Sequence, residues 1–310
     1  MKKFILSMLT VLLTFSLIAF DTNVSEAASK KITVKDFAGR TVTFSKAPSR
    51  VAVLSSGDLG TVKALGSKIV GRPTTVSTVD PSLKNITQIG TVFSPNYEKI
   101  ASVKPDVVIA STAFKANIKK VEALGVKVVI TSGASVNEIK SSVTLLGKVL
   151  NKTSKAKVLT GKIDSKLKKY SKSKTNVKAA ILFGSGSSSL VALPSSFSGD
   201  VLKKTGGINI ASSFSEVKDF PGYANLSTER IIQSNPDVIF MITHTDPKKT
   251  KAAMVKLMSS GAWKNLNAVK KKNVVYLPSD LFASNPGIKI TDALDYMNKE
   301  LLKVKAKKNK

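Results

Sequence analysis

Short apolar runs rich in β-branched residues alternate along the chain with amphipathic stretches, and this alternation sets the expected architecture. Val51–Leu54, Ile69–Gly71 and Val126–Ile130 in the first half, and Ala179–Phe183 and Val274–Leu277 in the second, are short and have no polar face. Strands buried on both faces of a parallel sheet have that composition. An internal repeat supplies two more. The segment from Glu98 to Ile109 aligns without a gap on the segment from Glu229 to Phe240, at an offset of 131 residues. Each copy reads as a short amphipathic helix, a proline that stops it, and a strand that begins after the aspartate of Lys104-Pro105-Asp106 or Asn235-Pro236-Asp237.

Between the halves the period changes. Ile139, Val143, Leu146 and Leu150, then Leu159, Ile163, Leu167 and Tyr170, recur at helical spacing from Ser135 to about Lys172. A continuous helix there would be roughly 50 Å long at 1.5 Å per residue, enough to join two lobes as a strut. A break near Lys152-Thr153-Ser154 would make it two helices. The pattern therefore predicts an α/β protein of two Rossmann-like lobes, residues 28–134 and 173–310, joined by a long rigid helix over residues 135–172.

The first residues carry a different signal. Lys2 and Lys3 precede a 17-residue, mainly apolar run from Phe4 to Phe20, and small residues at Ser25 and Ala27 suit cleavage before Ala28. Residues 1–27 are thus expected to be an export signal, with retention as a membrane anchor the alternative. Phe20 stands where a lipidated cysteine would follow Leu17-Ile18-Ala19, so an exported, extracytoplasmic protein not anchored through cysteine is expected, secreted or held at the cell surface.

Charge and composition narrow the chemistry. The chain of 310 residues has no cysteine, which excludes disulfides, thiol nucleophiles and thiolate metal sites. Its 49 Lys and Arg against 20 Asp and Glu give a net charge of +29, and only Arg40, Arg50, Arg72 and Arg230 are arginines. Lysines spread along the chain, with few planar guanidinium forks, argue against nucleic acid and for electrostatic association with an anionic cell wall or membrane. The run from Lys303 to Lys310 reads most simply as a frayed, solvated helix end.

Ligands of parallel α/β sheets sit at the carboxyl ends of the strands. The loops after the repeat strands, Ala110–Phe114 and Met241–Thr245, are therefore the candidate edges of one cleft. The second holds His244, the single histidine of the chain, which is either a metal or haem-iron ligand or an ordinary loop residue. Gly184-Ser185-Gly186-Ser187 follows a predicted strand, and its amides could cradle an anionic group, or it is a flexible strand–helix connection. No nucleophile elbow or carboxylate cluster accompanies the histidine, so a binding protein rather than an enzyme is expected.

From Val34 onward the order of segments resembles the cluster-III substrate-binding proteins of iron-complex and cobalamin ABC importers. The resemblance rests on Val34-Lys35-Asp36-Phe37-Ala38-Gly39-Arg40, Ala47-Pro48-Ser49-Arg50 and the two Pro-Asp turns. Gly199–Asn209, Trp263–Val269, Leu281-Phe282 and Ala293-Leu294 are similar to the haem-binding receptors of Gram-positive surface iron-uptake systems. The resemblance implies two lobes joined by a rigid helix, a monomer that delivers its ligand to ABC permease subunits, and haem as that ligand. Ferric siderophore, cobalamin, or a surface adhesion protein binding wall polymer are the alternatives.

It also implies roles for particular residues. A histidine placed like His244 ligates haem iron, and the second ligand is a methionine in a loop that here reads Ile89-Gly90-Thr91-Val92-Phe93-Ser94-Pro95. Phe93 replaces that methionine and cannot coordinate iron. The haem would then be five-coordinate on His244, Tyr97 would substitute, or the ligand would differ; Phe93 itself could pack on a porphyrin face. Lysines or the Gly184–Ser188 amides could meet the propionates. One carboxylate per lobe is expected to dock onto permease arginines: Glu229 in the second lobe, and in the first Asp58, beside a Gly60 that occupies the matching position.

Overall fold

The structure, a computed structural model, describes residues 31–75, 80–185, 188–242, 252, 255–283 and 285–308, with only the backbone given at Ser185, Ser188 and Ser189. The expected export signal lies outside the described residues. The chain opens with a hairpin, β1 (Ile32–Lys35) and β2 (Thr41–Phe44). Its turn is held by Asp36, whose carboxylate accepts the Ala38 and Arg40 amides at 2.9 and 3.0 Å and a two-pronged bond from the Arg40 guanidinium. Arg40 also donates to the Val128 carbonyl at 2.7 Å, which ties the hairpin to the first sheet.

That sheet contains β3 (Val51–Val53), β4 (Ile69–Arg72), β5 (Thr87–Gln88), β6 (Val107–Ser111) and β7 (Lys127–Thr131), all parallel, in the order β5-β4-β3-β6-β7. The helices α1 (Ser56–Leu65), α2 (Tyr97–Ser102) and α3 (Ile118–Glu122) connect them. Alternate strand residues enter two separate cores, Val51, Val53, Val107 and Ile109 on one face and Ala52, Val108 and Ala110 on the other. Both faces are covered, which is why these strands have no polar face.

A single connecting helix over residues 135–172 is not what forms. The segment folds as two antiparallel helices, α4 (Val136–Val149) and α5 (Thr153–Tyr170), and Asn151 between them adopts a left-handed φ of 52°. The Lys140 ammonium meets Asp164, and a Cβ on Gly147 would touch the Ala156 methyl, so the pair packs tightly along its length. The two lobes are nevertheless bridged here. Val143, Leu146 and Ala156 enter the core of the first lobe, while Val136, Ile139, Ile163 and Tyr170 enter that of the second.

The second sheet departs from the all-parallel expectation. Strands β8 (Lys178–Ser185), β13 (Val238–Ile242) and β14 (Val274–Tyr276) run parallel as predicted, and β10 (Ile208–Asn209) adds to the start of β8. On the other side, β9 (Ser188–Ala192), β12 (Phe220–Asn225) and β11 (Glu216–Val217) are antiparallel. Helices α6 (Phe197–Lys204), α7 (Thr228–Ser234) and the long helix Ile290–Lys308 complete the lobe.

The repeat has a structural cause. Lys104 and Asn235 both take left-handed φ values, 44° and 42°, and turn the chain out of α2 and α7. Asp106 then accepts the Arg50 amide at 2.9 Å and returns its own amide to the Arg50 carbonyl at 2.8 Å. Asp237 does the same with Lys178, at 2.9 and 2.8 Å. Each Pro-Asp turn thus pins the amino end of one strand to that of its neighbour, with a charge-assisted bond that a neutral side chain would not supply.

Candidate functional site

The carboxyl ends of the two sheets face each other. Gly57, beyond the end of β3, packs against the backbone of Asn285 and Gly287 from the second lobe, where a Cβ would lie 2.1 Å from the Asn285 carbonyl oxygen. Gly133, beyond β7, meets the Asn285 side chain, and the Val136 amide donates to Asp200 of α6 at 2.8 Å. Loops leaving the strand ends therefore meet between the lobes, the region where ligands of such sheets bind.

Phe93 lies past the carboxyl end of β5, on the same side of the first sheet as these loops, and is 82% exposed. It sits in a turn closed by the Thr91 amide to the Ser94 carbonyl and by the Ser94 amide to Thr91 Oγ1, both 3.0 Å, with Gly90 and Pro95 bridged behind it. Gly90 has φ +95° and no room for a Cβ, which would come within 2.4 Å of the Ser94 carbonyl oxygen. The Thr74 amide to the Gly90 carbonyl (2.8 Å) and the Asn117 amide nitrogen to the Val92 carbonyl (3.4 Å) fasten the turn to the lobe. A rigid mount thus holds a bare aromatic ring toward solvent.

Tyr97 begins α2 below this turn and is half-buried. Its hydroxyl donates to Asn117 Oδ1 at 2.7 Å, and the Lys120 ammonium lies 5.8 Å from its ring centre. Coordinating iron would require breaking that bond and turning the ring outward. Beside the turn is an open groove of about 370 Å³, lined by Thr74, Gln88, Thr91, Ser94, Asn96 and Lys99 among others. Its lining is polar, with one cation.

In the second lobe the Gly184–Ser187 segment is not a strand–helix connection. Gly184 and Ser185 belong to β8 and pair with Ser189 and Ser188 of β9, so the segment forms a hairpin whose ladder occupies the backbone. Gly186 at its tip lies outside the described residues, as does His244, two positions past the end of β13. Near the carboxyl end of β8 the half-buried rings of Phe183 and Tyr223 pack at 5.1 Å, and burial raises the Tyr223 pKa above its usual value. The sequence reading passed over this pair because Tyr223 lies on an antiparallel strand it did not anticipate. Among the described residues no group of three potential ligands could hold a metal ion.

Asp58 is no docking residue. It is 1% exposed, its carboxylate accepts the Thr131 hydroxyl, and burial pushes its pKa up to about 6. Gly60 does face open space, but offers no charge. Glu229 is exposed in the first turn of α7, capped by Ser227. Its partner in the repeat, Glu98, is equally exposed in the first turn of α2, capped by Asn96. The two lobes therefore present one carboxylate each at equivalent places, and the repeat alignment held the signal for Glu98.

Comparison with known proteins follows the same lines. The sequence profile of the family described as "Periplasmic binding protein" matches residues 51–281. The chain is 30% identical over 220 residues to the high-affinity heme uptake system protein IsdE of Staphylococcus aureus, covering 69% of this chain and 74% of that protein. The crystal structure of S. aureus IsdE complexed with heme superposes with a TM-score of 0.71 at 28% identity, over 81% of this chain and 98% of that one. An ABC transporter substrate-binding protein from Listeria monocytogenes gives 0.71 at 23% identity, over 82% and 98%.

Proposed function

We propose that this chain, which belongs to the periplasmic binding protein family and is a non-enzymatic transport component, captures haem between its lobes and surrenders it to an ABC permease. The observation that carries the reading is Phe93: a large apolar ring, 82% exposed on a fixed turn past the carboxyl end of β5, is left uncovered by the described residues and suits the face of a porphyrin. IsdE, 30% identical, is by name a heme uptake protein.

In this reading His244 is the one protein ligand to iron, because Phe93 cannot coordinate and the Tyr97 hydroxyl is already engaged by Asn117. In the same reading, lysines such as Lys99 or the backbone amides near Gly184–Ser188 meet the propionates. Glu98 and Glu229 dock on cationic sites of the permease, one from each lobe.

Hemin titrated into residues 28–310 tests this. A saturable Soret shift near one equivalent, lost in His244→Ala, is expected. A shift that survives the substitution refutes His244 as ligand, and no saturable shift refutes haem. The polar groove beside Phe93, with Lys99 on its wall, favours a second reading, an anionic ferric siderophore. Quenching of intrinsic fluorescence by a ferric chelate, without any response to hemin, would select it.

A further inference from the structure

The lysines that look diffuse in sequence are gathered by the fold at one end of the second lobe. Residues 172–178 lead into β8 and include its first residue, residues 270–272 precede β14, and residues 305–308 end the long helix, and each stretch carries three lysines. Hydrogen bonds bring the three together. The Lys305 ammonium donates to the Lys174 carbonyl at 3.2 Å, that of Lys307 to Asn273 Oδ1 at 3.0 Å, and that of Lys308 to Asp237 at 2.9 Å. Asp237 in turn accepts the Lys178 amide at 2.9 Å. The helix end is therefore docked onto the amino ends of the strands, not frayed from them.

Nine ammonium groups thus share a pole in which Asp237 is the one carboxylate of these segments and their strand-end contacts, and it is paired with Lys308. Lys172, Lys174, Lys178, Lys270, Lys271 and Lys272 are all exposed, and their ammonium groups make no hydrogen bond or ion pair among the described residues. Such a concentration of like charge opposes folding and needs a compensating gain. The pole lies at the amino ends of β8, β13 and β14, away from the cleft at their carboxyl ends, so an occupant there leaves the cleft free.

We infer that this pole is a docking surface for a linear anionic polymer with spaced phosphates, on which the protein is held while its cleft stays open. The inference rests on the binding-protein reading only for the remark that the cleft must stay free. Lysine supplies the chemistry: a compact, hydrated charge on a flexible stem follows a mobile polyanion without demanding one geometry, whereas arginine forks would read fixed ones. A bilayer is the less suited partner, because the lysine stretches carry no aromatic residue of the kind that anchors proteins at a lipid interface.

The test compares residues 28–310 with two six-fold variants. One carries Lys→Gln at 172, 174, 178, 270, 271 and 272; the control carries Lys→Gln at the exposed first-lobe positions 31, 35, 68, 84, 115 and 119. Binding to poly(glycerol phosphate) is measured by calorimetry across a salt series, beside vesicles of equal parts phosphatidylglycerol and phosphatidylcholine. The pole variant should lose at least about tenfold in affinity, and its log–log salt slope should flatten by up to about four, taking roughly 0.7 per contact for a single-stranded polyanion. The control should lose little. Equal losses in both variants would overturn the localisation, and binding to vesicles but not polymer would overturn the occupant. Hemin titration of the same two variants reads the cleft separately, so failure of either reading is seen without the other.

Discussion

Replacing Asp58 by asparagine should make the protein more stable at pH 7.5, not less. The carboxyl is 1% exposed, and burial pushes its pKa from 3.8 up to about 6. A difference of about two units between unfolded and folded chain is worth about 3 kcal/mol at 1.36 kcal/mol per unit, and this is what the folded state loses by holding the charge inside. The direction with pH follows from proton binding. Between 3.8 and about 6 the folded protein holds more protons than the unfolded chain, so this group's contribution to stability rises as pH falls through that window.

Hydrogen bonding from the Thr131 and Ser55 hydroxyls favours the ionised form and offsets part of the burial effect, yet it can be rearranged when the group is neutral. The Thr131 hydroxyl has one hydrogen and two acceptors, Asp58 Oδ2 at 2.5 Å and the Ala110 carbonyl at 3.2 Å. Ionised Asp58 draws that hydrogen. Protonated, it donates to Thr131 Oγ1, whose own hydrogen then serves Ala110, and the amide of Asp58→Asn can donate in the same manner. Asp58 does lie in the first turn of α1, but a carboxylate there gains only about 0.3–1 kcal/mol from the helix dipole. In urea denaturation, Asp58→Asn should exceed the parent by about 2–3 kcal/mol at pH 7.5 and by about half that at pH 5. The difference cancels groups that titrate alike in both proteins. An equal gap at the two pH values, or a variant less stable at pH 7.5, would refute the buried-charge reasoning.

Phe93→Met should place a second potential ligand on the rigid turn and convert bound ferric haem from high to low spin in electron paramagnetic resonance; an unchanged spin state would mean that the turn does not face the iron. Glu98→Ala and Glu229→Ala, singly, should leave ligand affinity intact and each lower uptake in cells at least about tenfold, as expected for a charge-assisted contact of about 1.5–3 kcal/mol; the same loss from Gly60→Ala would show that α1 is the docking element instead. Gly57→Ala would drive a Cβ to 2.1 Å from the Asn285 carbonyl oxygen, so urea denaturation should show a loss of roughly 1–3 kcal/mol, the range for overpacking; no loss would mean that the lobes separate freely there.

Much of the fold was legible in the residues. Strands buried on both faces must be apolar throughout, so β3, β6, β7, β8 and β13 declared themselves, and Pro-Asp turns that pin neighbouring strands left a repeat that alignment could find. The turn at Asn151 was legible only as the alternative, a break near Lys152-Thr153-Ser154. Leu150 and Leu159 lie nine residues apart, half a turn out of phase on one continuous helix, but periodicity reports which face is apolar without reporting whether the axis reverses. The antiparallel half of the second sheet was hidden for a similar reason, since Ser188–Ala192 and Phe220–Asn225 are short and mixed in polarity.

Local patterns thus determined the α/β class and the buried strands, because each depends on a few neighbouring residues and the faces they bury. Asp58 and the lysines needed the tertiary structure. A carboxylate in the first turn of a helix reads as a surface residue until β7 and its Thr131 close over it. Lysines separated by a hundred residues read as diffuse until three chain segments meet at the amino ends of one sheet. Burial and charge density are properties of what long-range packing brings together, and spacing along a chain carries no distance between its remote parts.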